Sequence, residues 1–358
     1  MSVVDGVVYD VVKGKNDTLE IVLANGNRTI KFDYGTYSGD FKDGEPGGQG
    51  KMTYTDGSVY DGEWVDGDRS GHGQMTYADK SVYTGSWVMD SRNGNGSLTH
   101  ADGFCYTGFW FGDMRHGYGE TTRNGQPEYF GNWNSDMRCG RGRMIYPGKR
   151  IYEGMWKDDK QNGAGTMVYD DGKYFGNFVD NKRSGHGCMK YSDKSVYTGQ
   201  WLMDKKSGEG TMNYTDGSSY TGNWVNNKRH EYGKMTDPYG LYYEGHWLDD
   251  KRSNYGKEVD LSNNSKFIGY WQNDHKIEGT MTYSDKSTFT GTWLLDAASG
   301  HGVLTRADGT QKTGVWSAGE LVKWDSDNEL ESDDKLDSDN ELDSDEDLPS
   351  NLSLEDVD

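Results

Sequence analysis

A positively charged residue recurs at one position of a repeating sequence pattern, two residues before a pair of glycines that are separated by one residue. Guanidinium and ammonium groups are the side chains best suited to binding phosphates and carboxylates. If each repeat adds about 10 Å of β-sheet, the row forms an edge that suits anionic headgroups or an acidic protein. The members of this cation row are Arg69, Arg92, Arg115, Arg138, Arg183, Lys206, Arg229 and Arg252.

The same row allows a purely structural interpretation, which we favour. Gln161 and His275 interrupt it, and an acidic residue lies just before most of its positions. Alternating charges across a turn usually neutralise one another in solvent. The net charge of −21 also gives no long-range attraction to an anionic membrane, so we expect weak or no binding of anionic lipid. The acids are Asp90, Asp113, Asp136, Asp159, Asp204, Asp250 and Asp274.

Histidines and glycine-rich segments are the other candidates for chemistry, and they form no recognisable site. His72, His186 and His301 occupy the same slot of distant repeats, so they do not converge as metal ligands. The Gly-x-Gly pairs lie within predicted strands, not between a strand and a helix as a nucleotide-binding loop requires. No hydrolase, kinase or metalloprotease motif occurs. We therefore expect no catalytic residues, no metal, no cofactor and no nucleic-acid partner.

A triplet of aromatic, glycine and aromatic residues, spaced by two, positions all of these side chains. It begins at residues 37–41, returns at 60–64, and ends in a degenerate form at 312–316. A fixed period in this range indicates one structural unit that is stacked many times, about thirteen times here. The third residues of the triplets lie at positions 41, 64, 87, 110, 133, 156, 178, 201, 224, 247, 271, 293 and 316.

Each repeat is predicted to form a β-hairpin. Residues 58–80 contain two stretches that alternate with period 2, separated by a turn rich in Gly and Asp. Strand glycines such as Gly62 and Gly73 leave room for a Tyr or Trp of a neighbouring strand. The sequence therefore predicts an all-β fold, an elongated twisted ribbon of tandem hairpins whose core is aromatic rings packed on glycine.

The pattern Tyr-x-Gly-x-Trp, a short turn, Gly-x-Gly and Tyr-x-Asp-Gly, at a period of 23 residues, resembles the MORN (membrane occupation and recognition nexus) repeat. The resemblance covers about residues 34–318 and weakens at 231–268, where glycines are lost. It implies a solenoid of hairpins that tethers membranes, builds cytoskeletal structures or self-associates through its ends.

Composition divides the chain into an N-terminal β cap over 1–33, the MORN array over 34–324 and an acidic tail over 325–358. The tail has 16 acidic residues and one lysine, and it is predicted to be disordered because it has too little apolar surface to fold. It either keeps the ribbon in solution or folds back on the cation row. Four of its serines have an acid three residues later, as acid-directed kinases favour: Ser326, Ser338, Ser344 and Ser353.

The expected function is a non-catalytic scaffold or adaptor for protein partners at membrane or cytoskeletal structures. The alternative is a peripheral membrane protein that binds anionic phospholipid through the cation row. Three cysteines, an odd number, and the absence of a signal-peptide pattern predict an intracellular, cytoplasmic location. The last triplets lose their first Tyr, which predicts a homodimer through the C-terminal repeats.

Overall fold

The structure of the chain is a computed structural model that describes residues 2–4, 7–13 and 19–325. Most of these residues lie in strands or tight turns, with one 3-10 turn at Pro147–Lys149. The strands are β1 (Ser2–Val4), β2 (Val7–Lys13), β3 (Leu19–Leu23), β4 (Gly26–Phe32), β5 (Gly35–Lys42), β6 (Glu45–Tyr54), β7 (Val59–Val65), β8 (Asp68–Thr76), β9 (Val82–Val88), β10 (Ser91–Thr99), β11 (Phe104–Phe111), β12 (Met114–Arg123), β13 (Gln126–Asn134), β14 (Met137–Ile145), β15 (Ile151–Lys157), β16 (Lys160–Tyr169), β17 (Gly172–Val179), β18 (Lys182–Tyr191), β19 (Val196–Leu202), β20 (Lys205–Asn213), β21 (Ser219–Val225), β22 (Lys228–Thr236), β23 (Leu241–Leu248), β24 (Lys251–Asp260), β25 (Ser265–Gln272), β26 (His275–Thr282), β27 (Thr288–Leu294), β28 (Ala297–Thr305), β29 (Gln311–Ser317) and β30 (Glu320–Trp324).

Strands β4 to β30 form one long antiparallel sheet of 27 strands, which does not close on itself. Each strand pairs with its neighbours in sequence, so the topology is a succession of hairpins. In a typical repeat, Gly62 of β7 lies opposite Gly73 of β8, and Tyr60 lies opposite Met75. The predicted all-β array of tandem hairpins is confirmed. The predicted disordered tail lies outside the described residues, apart from its first residue, Asp325.

The core is a seam of aromatic rings along one face of this sheet. The ring of Tyr60 covers Gly73 so closely that a Cβ there would lie 2.3 Å from the tyrosine oxygen. Trp64 packs edge-on against Tyr60 of its own repeat and against Tyr37 of the previous repeat, with ring centroids 5.1 and 5.3 Å apart. Each pair of this kind contributes about 0.5–1.5 kcal/mol beyond the area that it buries. The seam therefore joins every repeat to the next.

The polar ends of these rings have hydrogen-bond partners. The hydroxyl of Tyr60 donates to the carbonyl of Glu63 at 3.0 Å, and the indole N–H of Trp64 donates to the carbonyl of Gly50 at 3.0 Å. Because buried donors without partners would be costly, these bonds allow Tyr and Trp to form the core in place of Leu and Ile.

Two kinds of tight turn connect the strands. Within a hairpin, Asp66 and Gly67 both have positive φ, at 49° and 83°, as a two-residue turn between twisted strands requires. Between hairpins, Oδ1 of Asp56 accepts hydrogen bonds from the backbone N–H and the hydroxyl of Ser58, at 2.8 and 2.6 Å. The Asp-x-Ser sequence therefore closes each regular junction between hairpins.

A small sheet of β1, β2 and β3 accompanies the start of the long sheet. Val8 donates to the carbonyl of Gly44 at 2.8 Å and accepts a hydrogen bond from Ala24 at 2.9 Å. Arg28 of β4 also pairs with Asp10 of β2. Residues 26–32, which the sequence assigned to the cap, form the first strand of the long sheet, while the division of the chain into domains stays a prediction.

Candidate functional site

The cation row lies at the junctions between repeats, where each member contacts a turn of the next hairpin. The backbone N–H and Nε of Arg69 both donate to Oδ1 of Asp90, at 3.0 and 2.8 Å. Nη2 of Arg69 donates to the carbonyl of Asp90 at 2.9 Å, and the N–H of Asp90 donates back to the carbonyl of Arg69 at 3.1 Å. These four hydrogen bonds form a latch between one repeat and the next.

The latch recurs along the sheet. Burial alone would raise the pKa of Asp159, but the hydrogen bonds from Arg138 lower that pKa below its ordinary value. Lys206 keeps only its two backbone bonds: its N–H donates to the side-chain oxygen of Asn227 at 2.8 Å, and its carbonyl accepts from the N–H of Asn227 at 3.1 Å. The other ion pairs of the series are Arg92–Asp113, Arg115–Asp136, Arg138–Asp159, Arg183–Asp204, Arg229–Asp250 and Arg252–Asp274.

An aromatic ring supports each latch from below. The guanidinium carbon of Arg69 lies 4.6 Å from the centroid of the Trp87 ring, and that of Arg92 lies 4.2 Å from Trp110. Stacking on the ring and pairing with the carboxylate leave the Arg92 side chain only 17% exposed. The structure thus gives the row a role in joining repeats, while anion binding by its exposed edges stays a prediction.

At Gln161, uncharged residues replace both partners of the latch. Gln161 stands at the position of the cation, Asn181 at that of the aspartate and Phe178 at that of the tryptophan. The N–H of Gln161 still donates to Oδ1 of Asn181 at 2.8 Å, but its side-chain amide donates to the hydroxyl of Tyr146 at 2.9 Å. Three coupled replacements therefore remove the charges and the larger ring while the backbone contact remains.

The opposite face of the sheet carries a patch of tyrosines that the sequence analysis did not identify. Tyr232, Tyr255 and Tyr270 are each about half exposed, and the rings of Tyr255 and Tyr270 meet edge-on at 5.4 Å. Nζ of Lys234 lies 4.3 Å from the centroid of the Tyr242 ring. The four tyrosines, Tyr232, Tyr242, Tyr255 and Tyr270, form the outer tyrosine patch. Its signal in the sequence was a Tyr in the middle of two degenerate Gly-x-Gly motifs.

Other chemical groups remain apart. Within residues 2–4, 7–13 and 19–325, no cluster of three or more His, Cys, Asp or Glu could hold a metal ion. Cys105, Cys139 and Cys188 are half-buried thiols. No helix in the described part of the chain is long and apolar enough to span a membrane. The predicted phosphorylation sites Ser326, Ser338, Ser344 and Ser353 lie outside the described residues.

A family model for the MORN repeat matches eleven stretches that together make up more than half of the chain: residues 37–59, 60–82, 83–104, 106–126, 129–148, 152–173, 174–196, 197–219, 220–240, 243–261 and 289–311. The chain belongs to the MORN repeat family. MORN repeats are typically protein-interaction modules and generally lack enzyme activity. The eleven matches are slightly fewer than the predicted thirteen or so repeats. The unmatched residues 262–288 nevertheless contain two strands, β25 and β26, that continue the sheet.

Solved structures resemble this MORN protein only weakly. The TCP domain of SAS-4 from Drosophila melanogaster, in complex with a proline-rich motif of Ana2, is 12% identical, with a TM-score of 0.27 over 49% of this chain and 90% of that chain. The TCP10 domain of Danio rerio CPAP, in complex with a STIL peptide, is 14% identical, with a TM-score of 0.26 over 64% and 96%. No curated protein matches the chain. Scores this low carry no argument about function.

Proposed function

We propose that this MORN repeat protein is a non-catalytic scaffold that binds protein partners through the outer face of its sheet, at membrane or cytoskeletal structures in the cytoplasm. The observation that carries the proposal is the outer tyrosine patch. Exposed Tyr residues offer a large contact area at low cost in side-chain entropy, and they are enriched at the centres of protein interfaces.

The arrangement of the patch supports a surface for a partner and not a second core. The hydroxyl of Tyr232 donates to Oε1 of Glu244 at 3.2 Å, and the rings of Tyr255 and Tyr270 support each other. The four tyrosines are therefore held in place before a partner arrives, which lowers the entropic cost of binding. The aromatic seam on the other face is already filled by its own rings and glycines.

The cation row is less suited to the alternative of direct binding to anionic phospholipid. Seven of its eight members pair with an aspartate of the next repeat, and the eighth, Lys206, stacks on Trp224 at 4.3 Å. A headgroup would have to compete with these contacts. Sedimentation of the full chain with vesicles of anionic phospholipid, at low and at high salt, separates the two functions, because a scaffold for proteins stays in the supernatant in both.

Affinity capture with the full chain as bait tests the scaffold. The bait is compared with the variant Tyr232→Ser, Tyr255→Ser, Tyr270→Ser, and with a matched control that places serine at outer-face positions of regular repeats, His72, Asn95 and Asn132. Each captured protein is purified, and its affinity for the three baits is measured by calorimetry. We expect a partner whose affinity falls at least tenfold for the tyrosine variant and stays within twofold for the control. A partner that binds all three baits equally would contradict the assignment to this patch.

A further inference from the structure

A cleft of about 730 Å³ opens on the seam face at the step where Gln161 and Asn181 replace the two partners of the latch. Gln161 is buried at its base, and the two neighbouring latches, Arg138–Asp159 and Arg183–Asp204, flank it. Met144 and Met167 contribute apolar surface, and Tyr146 and Tyr169 contribute hydroxyls. In regular steps, the guanidinium and the indole of the latch occupy the equivalent space. The cleft therefore results from the change of these residues to Gln161 and Phe178.

At one rim of this cleft, the junction lacks the aspartate that regular junctions have. The regular junction Asp56-Gly57-Ser58 is replaced here by Gly148-Lys149-Arg150. Compared with Asp56-Gly57-Ser58, the change removes one carboxylate and adds two cations, Lys149 and Arg150, of which Arg150 lines the cleft. Arg150 is exposed, and its guanidinium carbon lies 5.7 Å from the centroid of the Tyr146 ring.

The described carboxylates near the rim form no ion pair with Arg150. No described acidic group lies within ion-pair distance of Arg150, since Asp159 and Asp204 are committed to their own latches. Asp171 lies in the neighbouring turn, beside Tyr169, and does not pair with Arg150. A ligand for this site therefore needs a negative charge for the rim and a small apolar side chain for the surface of Met144 and Met167.

We propose that the cleft and its basic rim form the docking site for this chain's own acidic segment, residues 326–358. That segment contains 15 carboxylates and a single lysine, so its charge is complementary to the rim. It also carries a leucine at every sixth position: Leu330, Leu336, Leu342, Leu348 and Leu354. One carboxylate pairs with Arg150, while a neighbouring leucine covers the methionines.

The distance along the sheet selects the part of the segment that can dock. About fourteen strands separate β30 from β16, which corresponds to roughly 65 Å at about 4.8 Å per strand. An extended chain spans about 3.3 Å per residue, so roughly twenty residues are needed to reach the cleft. The docked part must therefore lie beyond about residue 345, where Leu348, Leu354 and Glu355 are found.

Carbodiimide cross-linking of lysines to carboxylates in the full chain tests the proposal. Three other lysines serve as matched controls for Lys149. Lys80, Lys194 and Lys286 occupy the same turn position as Lys149. Their φ values lie between 71° and 79°, against 67° for Lys149, and all four residues are exposed. Lys194 and Lys286 also lie closer along the chain to the acidic segment. We expect the yield of cross-links from residues 345–358 to Lys149 to be at least fivefold higher than the yield to each control lysine. The yields are measured by mass spectrometry, at a protein concentration low enough that cross-links between two copies are negligible.

Two variants separate the cleft from simple charge attraction. Arg150→Ser restores the residue of a regular junction and removes one rim charge. Gln161→Arg restores the residue of a regular latch and fills the cleft, but it adds a positive charge. Docking predicts that each variant lowers the Lys149 cross-link to the level of the controls, with circular dichroism showing that the sheet is retained. A higher yield of the Lys149 cross-link in Gln161→Arg would overturn the proposal. So would cross-link yields that simply increase the closer each lysine lies to the C-terminus. Cross-links that form only between two copies would also overturn it.

Discussion

Arg92 of one repeat and Asp113 of the next are joined by four hydrogen bonds between 2.8 and 3.1 Å, while the guanidinium of Arg92 also stacks on Trp110. The pair connects two hairpins that are already neighbours in the sheet. In a solenoid, stability is approximately the sum of the terms within repeats and between nearest neighbours. The recurring latch is therefore a repeated contribution to the interfaces between repeats.

Replacing Arg92 with Gln should lower the free energy of unfolding by about 1–2 kcal/mol, because it removes a partly buried ion pair and a cation–π contact. Urea denaturation followed by tryptophan fluorescence measures this change. Lys80→Gln, which removes an exposed cation from a turn, is the control and should stay within about 0.5 kcal/mol of the parent. Equal stability of both variants would show that the latch adds nothing.

A double-mutant cycle identifies the partner of Arg92. Asp113→Asn should cost a similar amount, and the double variant Arg92→Gln, Asp113→Asn should cost less than the sum of the two, by about 0.5–1 kcal/mol of coupling. Additive losses would mean that the two side chains do not interact in solution. High salt should reduce the coupling only partly, because the guanidinium is largely buried.

The sequence predicted the hairpins and the seam well, because period-2 alternation and the aromatic–glycine–aromatic triplet determine which side chains of each strand face the core. It predicted less well how the cation row is neutralised. For four of the seven arginines (Arg92, Arg115, Arg138 and Arg252) the nearest acid in sequence lies two residues before it, whereas the partner in the structure lies 21 or 22 residues after it. The signal was nevertheless present, since the partner of Gln161 is Asn181 and the partner of Lys206 is Asn227. Aspartate is replaced by asparagine at both of these positions.

Gly73→Ala should destabilise the sheet by about 1–3 kcal/mol, the range for adding a methyl group to a filled site. The new Cβ would lie 2.3 Å from the oxygen and about 2.5 Å from two ring carbons of Tyr60, so the ring has to move out of the seam. Thermal unfolding of Gly73→Ala, compared with Gln74→Ala on the outer face, measures the effect. A Gly73→Ala protein as stable as its control would mean that the tyrosine ring does not rest on this glycine.

The seam also predicts how stability depends on alkaline pH. Burial raises the pKa of Tyr106 and Tyr174 to about 12, although Arg115 and Arg183 partly oppose this increase. The folded protein therefore holds these phenolic protons at pH values where the unfolded chain, with a pKa near 10, releases them. This contribution is fully present below about pH 10 and is lost as the pH rises towards 12.

Titration of tyrosinate absorbance, with far-UV circular dichroism measured in parallel, checks this expectation. The tyrosines that ionise last, towards pH 12, should do so as the sheet is lost. Tyr106→Phe should remove one phenol from this last group while keeping the aromatic ring. Complete ionisation near pH 10 with the sheet intact would contradict the assignment of these tyrosines to the core.

The C-terminal edge of the sheet provides a test of the predicted homodimer. In the described part of the chain β30 pairs only with β29, and Val322 on β30 is 65% exposed. An open strand edge with an apolar side chain is a template for pairing with a second copy. We expect light scattering of the full chain to give twice the 40.2 kDa mass of one chain. A positive charge on the edge should oppose this pairing, so Val322→Lys should be monomeric, while Val65→Lys, at an exposed site far from the edge, should remain dimeric.

Ionic strength makes this test sharper. Each copy carries a net charge of −21, so two copies repel each other at low salt. Apolar pairing at β30 therefore predicts that the dimer becomes tighter as salt is added, whereas an interface formed by ion pairs would become weaker. A parent protein that is monomeric at both salt concentrations, or a Val322→Lys variant that dimerises like the parent, would rule out this edge as the interface.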